Sequence, residues 1–332
     1  MALPPLIQSL LKPSAYPDSP GAVELRQTHI SYLFFTPKYV YKIKKPVDFG
    51  FLNFTTLDKR RFFCHQEIAL NKRLCPAIYI GVVEANKKGD GFVFEGEGEA
   101  VEYAIKMKRL PSDKMMDILL KKDMVTESMV KDTADVIVNF HDKAETNLYI
   151  SQFGLPSVIQ KNTEENFIQT KDFIGRTITN KQFDMIKNYT QNFLKARYGL
   201  FAKRVERGFI KNCHGDIHSE HICMAYGACV SCVTAGICIF DCIEFNERFR
   251  YSDTVADIAF LAMDLDFYNR HDLSNTFCEE YIKASQDKDA GELLDFYKCY
   301  RAYVPGKVEG FKIDQKEVPP EEKENAKLKA KR

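Results

Sequence analysis

Three histidines surround one aspartate in the stretch Lys211-Asn212-Cys213-His214-Gly215-Asp216-Ile217-His218-Ser219-Glu220-His221-Ile222-Cys223. Gly215 beside Asp216, between polar side chains, is typical of a tight loop and not of a helix interior. An apolar run over 237–240 follows and ends at Asp241. Glycines at 227 and 236 enclose β-branched residues and predict a hairpin between the two acids. Because a hairpin returns the chain to where it left, we expect Asp216 and Asp241 to face one cleft.

These two acids have a chemical interpretation. One carboxylate can accept a proton from a hydroxyl group while the other holds a divalent cation against phosphates. Aspartate is also common as a loop cap or turn former. The residues by themselves leave both interpretations open.

Composition excludes several classes of protein. The chain has 332 residues, enough for roughly two domains, and its 45% hydrophobic and 28% charged residues are ordinary for a globular protein. A net charge of +1 gives no reason to expect nucleic acid or an anionic membrane as partner. No run reaches the ~18 apolar residues that span a bilayer, and the first residues lack a signal-peptide pattern. We therefore expect a cytoplasmic protein.

Ten cysteines are present, and in that compartment we expect them to be mostly buried thiols and not disulfides. Cys229 and Cys232 form a C-x-x-C, which is half of a zinc site, but no second pair lies at a standard spacing. A hairpin of alternating small residues is the favoured interpretation.

The pattern along the chain predicts an α+β fold. A loosely packed lead-in over 1–22 precedes strand-like runs up to 108, which indicate a small antiparallel sheet. Lys42 and Lys44 share one face of a strand because side chains alternate. The helix predicted over 57–75 carries Glu67 on its apolar stripe, and Lys42 is its expected partner. Helical patterns dominate from 109, and a mobile charged tail is expected over 312–332.

Several ordered motifs resemble the aminoglycoside phosphotransferase family of the protein-kinase-like fold, and within it a branch often fused to a C-terminal P-loop ATP-binding domain. The resemblance covers about residues 20–310 and is carried by the runs Thr28-His29-Ile30-Ser31, Tyr41-Lys42-Ile43-Lys44-Lys45-Pro46, Arg60-Arg61-Phe62-Phe63, Cys213-His214-Gly215-Asp216-Ile217-His218 and Phe240-Asp241-Cys242-Ile243-Glu244-Phe245-Asn246. No Gly-x-x-x-x-Gly-Lys-Ser/Thr occurs, so we expect the fused P-loop domain to be absent from this chain.

The resemblance implies a two-lobed fold with a small antiparallel sheet lobe with one helix over 23–108 and a larger, mainly helical lobe over 109–311. It implies an ATP-dependent phosphotransferase that uses Mg²⁺ and moves the γ-phosphate to a hydroxyl of a small molecule. Asp216 would be the catalytic base and Asp241 the magnesium ligand. Lys42 would contact the nucleotide phosphates and pair with Glu67.

Further roles follow from the same resemblance. Ser31 would contact phosphate, and the hinge from Met107 through Arg109 to Leu110 would meet the adenine through backbone groups. His221 stands where the family usually has an asparagine that binds a second metal ion. Asp257 resembles the buried acid that supports the catalytic loop.

Two departures from the family pattern keep alternatives open. His221 offers nitrogen where magnesium prefers oxygen, and the run 28–36 has no glycine. Both features favour a nucleotide-binding pseudokinase with a regulatory role. A third hypothesis, a zinc protein or metal-dependent hydrolase, would use His214, His218 and His221, but Gly215 argues against the helix that such spacing needs. For the acceptor, Glu244 or Asp264 would suit a cationic or polyhydroxyl molecule; the sequence determines neither the acceptor nor the oligomeric state.

Overall fold

The protein is described by a computed structural model, which covers residues 3–224, 236–315 and 318–331. The chain forms two compact units, one of Met1–Leu119 with Glu220–Glu247 and the other of Leu120–Ser219 with Arg248–Arg332. The first, here called the sheet unit, contains the large sheet and one long helix; the second, the helical unit, is mainly helical. The α+β class is therefore confirmed. The lobe boundaries expected at 22, 108 and 311 stay predictions.

The strands in chain order are β1 Glu24–Gln27, β2 Ser31–Phe35, β3 Tyr39–Lys44, β4 Tyr79–Lys88, β5 Gly91–Phe94, β6 Ala100–Lys108, β7 Ile210–Asn212, β8 Ile222–Met224, β9 Ile237–Ile239 and β10 Tyr251–Asp253. The α-helices are α1 Pro5–Ser9, α2 Leu57–Asn71, α3 Met116–Lys121, α4 Glu127–Lys143, α5 Leu148–Ser151, α6 Pro156–Thr170, α7 Asn180–Ala196, α8 Tyr198–Glu206, α9 Glu247–Arg250, α10 Thr254–Phe267, α11 His271–Ser285, α12 Ala290–Asp314 and α13 Pro320–Lys331.

The sheet unit is built on six antiparallel strands in the order β1-β2-β3-β6-β4-β5. β8 and β9 form a second antiparallel pair, in which Cys223 lies opposite Cys238. The strands on either side of the predicted hairpin therefore pair, while residues 225–235, on which that prediction falls, lie outside the described residues. This pairing leads the chain directly to Asp241.

Helix α2 begins at a cap that the sequence supplies. Thr56 has an extended backbone and its hydroxyl accepts a hydrogen bond from the backbone N–H of Lys59 at 3.3 Å, which satisfies a donor of the first turn. The helix ends at Asn71, four residues before the predicted end at 75. Glu67 is fully buried on this helix.

The lead-in before β1 packs more closely than expected. Ile7, Leu10, Ala15 and Tyr16 are at most 3% exposed and belong to the same apolar cluster as Phe34 of β2. The expectation of loose packing is wrong because one face of the sheet presents apolar side chains, and α1 with the following turn covers them.

The core of the helical unit centres on α10. Ten of its fourteen residues are buried, from Thr254 to Leu265, so this helix is apolar on nearly all sides, as expected of a central helix. One cluster joins α10 to α12 through Val255, Ala259 and Phe296. The short strands β7 and β10 pair antiparallel beside it; β10 leads into α10, and β7 leads into the loop that contains Asp216.

The charged C-terminal segment contains a helix, and the mobility expected of it stays a prediction. It forms α13 with Ala326 buried, acidic residues in its first turn and lysines in its last turn. That charge order complements the helix dipole and stabilises a helix in a polar sequence. No helix in the described ranges is long and apolar enough to cross a membrane.

Two cysteines depart from the predicted thiol state. Cys75 and Cys238 form a disulfide with Cα atoms 5.2 Å apart and a sequence separation of 163. Both pack in one apolar cluster with Ile78 and Tyr79, a proximity that no local pattern reveals. The expectation is confirmed for the buried thiols, which are Cys64, Cys213, Cys223, Cys242 and Cys278. Cys229 and Cys232 lie outside the described residues.

Candidate active site

Lys42 is the centre of a buried ion-pair network in the sheet unit. Its Nζ lies 2.9 Å from Glu67 Oε1 and 2.6 Å from Asp241 Oδ1. β3 aims Lys42 toward α2, and β9 delivers Asp241 at its end. The structure thus brings together three residues that the sequence analysis placed in one nucleotide site.

The network keeps Lys42 and Asp241 charged. Burial alone would lower the pKa of Lys42, but the carboxylates of Asp241, Glu67 and Glu244 outweigh it and raise that pKa well above its usual value. Burial would raise the pKa of Asp241, yet Lys42 and His221 dominate and hold it below the usual range. Lys42 is therefore a cation and Asp241 an anion at neutral pH.

The backbone around Asp241 is constrained. Asp241 itself has a φ of +63°, in the left-handed region that aspartate tolerates better than most residues. Its backbone N–H donates to Tyr79 Oη at 3.3 Å, and the next N–H, of Cys242, donates to Asn71 Oδ1 at 2.9 Å. Side chains from β4 and from the end of α2 thus hold this segment, and a non-glycine residue in such a conformation often marks a functional site.

His221 lies beside the same aspartate. Its Nε2 is 3.5 Å from Asp241 Oδ2, and its ring packs against Phe240 with centroids 5.8 Å apart. Asp241 therefore has a lysine near one oxygen and an imidazole near the other. The side chain of Asp241 remains 39% exposed, so its carboxylate is accessible to a ligand.

A second lysine, Lys44, belongs to the network, and the sequence analysis did not predict its partners. Lys44 Nζ donates to Glu67 Oε2 at 2.7 Å and to Glu244 Oε1. The signal was present in the shared strand face of Lys42 and Lys44, but the partner Glu244 lies 200 residues away. The pairing also differs from the acceptor-binding role expected of Glu244, since that residue is only 8% exposed.

In the helical unit, Asp257 organises the loop that contains Asp216. Its two oxygens accept the backbone N–H groups of His214 at 2.9 Å and Gly215 at 2.8 Å. Oδ2 also lies 3.1 Å from His141 Nε2. Burial would raise the pKa of Asp257, but His141, His214 and Arg301 outweigh it and lower that pKa to about 2.

The loop itself has the tight geometry that its sequence predicts. Gly215 has a φ of +88°, which only glycine adopts without strain, and its carbonyl oxygen accepts from Arg301 Nη1 at 3.0 Å. Asp216 follows with its side chain 30% exposed, and His218 Nε2 is 3.7 Å from Asp216 Oδ2. Asp216 is thus an accessible carboxylate on a rigid loop.

The remaining predicted nucleotide residues lie on the sheet. Ser31 begins β2 opposite Lys44; it is fully buried, and its hydroxyl has no hydrogen-bond partner among the described residues. Met107 is half-buried on β6, and Arg109, just beyond the strand, donates from Nη1 to Thr36 O at 3.0 Å. Their roles in nucleotide binding stay predictions.

The three histidines of the zinc hypothesis have other contacts. His214 is fully buried, and its Nδ1 lies 3.3 Å from the backbone N–H of Asp216. The His218 ring packs on Phe260 with centroids 5.3 Å apart. The loop is not helical at Gly215, so the spacing of His214 and His218 has no helical basis here.

Comparison with known proteins gives distant relatives. No family model matches the chain. It is 28% identical over 293 residues to an uncharacterised protein of Mycobacterium bovis and to uncharacterised proteins of two Mycobacterium tuberculosis strains. The match covers 88% of this chain and 56% of each relative, so the chain spans about half the length of the curated relatives it matches.

Two solved structures are similar in chain course. A choline/ethanolamine kinase family protein from Mesorhizobium loti has a TM-score of 0.48 and 10% identity, with 94% of this chain and 87% of that chain covered. An ethanolamine kinase from Plasmodium vivax has a TM-score of 0.49 and 14% identity, with 93% and 80% covered. Similarity at this level does not transfer an activity or a substrate.

Proposed function

We propose that this chain is an ATP-dependent phosphotransferase that moves the γ-phosphate to a hydroxyl of a small molecule. The observation that carries the proposal is the position of Lys42, buried between Glu67 and Asp241 in the sheet unit. A strand lysine paired with a helix glutamate, beside an aspartate at the end of a later strand, is the set of charges that phosphoryl transfer needs.

The sheet unit would bind the nucleotide. Lys42 would exchange the carboxylate of Asp241 for nucleotide phosphate while it stays paired with Glu67. Asp241 fits a magnesium ion because its carboxylate offers hard oxygen donors and is 39% exposed. Bound magnesium would neutralise charge that develops on the phosphates. Met107, Arg109 and Ser31 complete the predicted nucleotide contacts.

The helical unit would supply the base. Asp216 is a partly exposed carboxylate on a loop held by Asp257, which suits it to accept the proton of an acceptor hydroxyl. Most of the catalytic effect in this class of reaction is positioning and charge stabilisation. The rigid support of the loop is therefore as important to the proposal as the acid itself.

His221 supports a second candidate, a nucleotide-binding pseudokinase. Its Nε2 is 3.5 Å from Asp241 Oδ2, and an imidazole is a poor magnesium ligand compared with the oxygen of asparagine. If His221 does not complete a metal site, the chain binds nucleotide without turnover. The acceptor in the first candidate is a small hydroxyl-bearing molecule, and the proposal requires neither a nucleic acid nor a membrane.

Thermal melting with ATP, with and without magnesium, tests the nucleotide site first. A ligand at a hundred times its Kd stabilises the folded state by about 2.7 kcal/mol and raises the melting temperature. We expect a magnesium-dependent rise in the wild type and its loss in Asp241→Ala. Asp90→Ala, which removes an exposed acid from the β4–β5 turn, is the matched control and should keep the rise.

Asp216→Ala separates binding from chemistry. This variant should keep the magnesium-dependent rise in melting temperature but lose ATP turnover with acceptor hydroxyls. A wild-type rise that is indifferent to magnesium, without turnover on any acceptor, would favour the pseudokinase. The absence of any rise with nucleotide would refute the proposal.

A further inference from the structure

Lys44 is a fully buried cation that the reaction just described does not use. Its Nζ contacts Glu67 Oε2 at 2.7 Å and Glu244 Oε1. The side-chain exposures are 0% for Lys44, 0% for Glu67 and 5% for Glu244. Each oxygen of Glu67 therefore holds a different lysine, Lys42 on one side and Lys44 on the other.

Burial of this lysine is costly unless its charge is matched. Burial lowers its pKa, but Glu244 and Glu67 outweigh that effect and keep the pKa above its usual value. The ring of Phe54, with its centroid 4.9 Å from Nζ, adds a cation–π contact. An apolar residue at this strand position would need none of these partners, so the pair calls for an explanation beyond core packing.

We propose that Lys44 and Glu244 are positioning residues that lock Glu67, so that the Lys42–Glu67 pair stands ready before nucleotide binds. The inference rests on the proposed function. When phosphate draws Lys42 away from Asp241, Glu67 is held by Lys44 and keeps its own place. Glu244 balances the charge of Lys44, so that Lys44 does not leave a net cation beside Lys42.

The same pair also supports the Asp241 segment. Glu244 lies three residues after Asp241, and the intervening backbone N–H of Cys242 is bound to Asn71 of the α2 C-terminal end at 2.9 Å. The Lys44–Glu244 contact therefore ties this segment to β3, while Asn71 ties it to the end of α2. Helix α2, strand β3 and the Asp241 segment are therefore held together within the sheet unit by this ion pair and this hydrogen bond.

A consequence for regulation follows. In protein kinases, the lysine–glutamate pair and the metal-binding aspartate must both be in place, and movement of the glutamate helix controls activity. Here the two carboxylate oxygens of the helix glutamate are each paired with a different lysine. We therefore expect α2 to need no activating movement, which makes the nucleotide site constitutively assembled.

The test compares Lys44→Met and the double variant Lys44→Met/Glu244→Gln with a matched control, Glu102→Gln. Glu102 pairs with Arg60 of the same helix, with Arg60 Nε 2.9 Å from both its oxygens, and both residues are buried. That control removes a buried ion pair from α2 without touching Glu67. Two quantities are measured: the Kd for magnesium-ATP and the hydrogen exchange of the α2 backbone amides without ligand.

We expect both Lys44 variants to raise the Kd for magnesium-ATP by about tenfold, as loss of a residue that orients a ligand group typically does. The amides of the second half of α2 should exchange about tenfold faster in both. The double variant should recover melting temperature relative to Lys44→Met, because Glu244 no longer carries an unpaired charge, but it should not recover affinity. Glu102→Gln should lower the melting temperature and leave the Kd within about twofold of the wild type.

The outcomes are distinguishable. If the wild type binds magnesium-ATP and the double variant has the same Kd and the same α2 hydrogen exchange as the wild type, the positioning role is overturned while the proposed function stands. A fall in affinity of the same size in Glu102→Gln would also overturn it, because any loss of helix stability would then suffice. A wild type that binds no magnesium-ATP would instead overturn the proposed function.

Discussion

Replacement of Asp257 by asparagine tests the description of the helical unit most directly. The carboxylate is fully buried and accepts the backbone N–H groups of His214 and Gly215 at 2.9 and 2.8 Å, one on each oxygen. It also lies 3.1 Å from His141 Nε2. Asparagine keeps the shape and one acceptor, but it replaces the other oxygen with an NH₂ group that faces a donor.

The size of the effect follows from these contacts. A buried donor without an acceptor costs roughly 1–3 kcal/mol, and hydrogen bonds to a charged group are stronger than neutral ones. Asp257→Asn leaves at least one backbone N–H without an acceptor. The hydrogen bonds that remain are then made to a neutral amide and not to a charged carboxylate. We expect the free energy of unfolding to fall by about 2–4 kcal/mol.

The same variant should change the acid sensitivity. The folded-state pKa of Asp257 is lowered from 3.8 to about 2, so its contribution is fully present above pH 3.8 and is lost as the pH falls from about 4 to about 2. The difference amounts to about 2 kcal/mol of stability. The asparagine variant has no such titration and should lose that part of the pH dependence.

Urea denaturation near neutral pH and at low pH measures both effects. Asp264→Asn is the matched control, because Asp264 lies on the same helix and its Oδ2 accepts the backbone N–H of Ser219 at 2.8 Å. Loss of that bond should cost only about 1 kcal/mol. If the two variants lose the same stability, or if the acid sensitivity of Asp257→Asn equals that of the wild type, Asp257 does not stabilise the loop through its charge.

Two further predictions concern glycine packing and the disulfide. In Gly154→Ala the new Cβ would lie 2.2 Å from Ile210 Cδ1, so overpacking should cost about 1–3 kcal/mol. A Cβ added at Gly199 of α8 would have no atom within 4 Å, so Gly199→Ala should instead raise stability by about 0.5–1 kcal/mol. If the melting temperatures of the two alanine variants shift in the same direction, these two predictions are contradicted. Cys75→Ala removes the disulfide to Cys238, which closes a loop with a sequence separation of 163. The greater entropy of the unfolded chain should then lower stability by up to about 5 kcal/mol. Wild-type melting should therefore fall on addition of a thiol reductant and the variant's should not, and a wild type insensitive to reductant would exclude a stabilising disulfide.

Local periodicity explains what was predictable from the sequence. Alternation along β3 places Lys42 and Lys44 on one face. The apolar stripe of α2 marked Glu67 as an acid that needs a partner, and Lys42 is that partner. The glycine beside Asp216 predicted a tight loop, which Gly215 forms with its positive φ. Alternation, helical spacing and a glycine turn act over a few positions and determine the face or turn on which each side chain lies, while the Lys42–Glu67 pair joins residues 25 positions apart.

Composition was a weaker guide at the start of the chain. The Pro- and Ser-rich lead-in suggested loose packing, yet Ile7 and Leu10 are buried. A polar or proline-containing segment becomes ordered when a neighbouring apolar surface needs cover. The neighbouring apolar surface exists only in the folded protein and cannot be inferred from the sequence of the segment itself.

Sequence patterns were sufficient to predict the α+β class, the strand and helix that carry Lys42 and Glu67, and the loop of Asp216. The pairings of Lys44 with Glu244, His141 with Asp257 and Cys75 with Cys238 became evident in the folded structure alone, because they join residues 200, 116 and 163 positions apart. The physical reason is that backbone periodicity constrains neighbours within a few residues. Which distant residues become neighbours depends on how whole surfaces pack against each other, and a buried charge or thiol then pairs with the group that lies beside it.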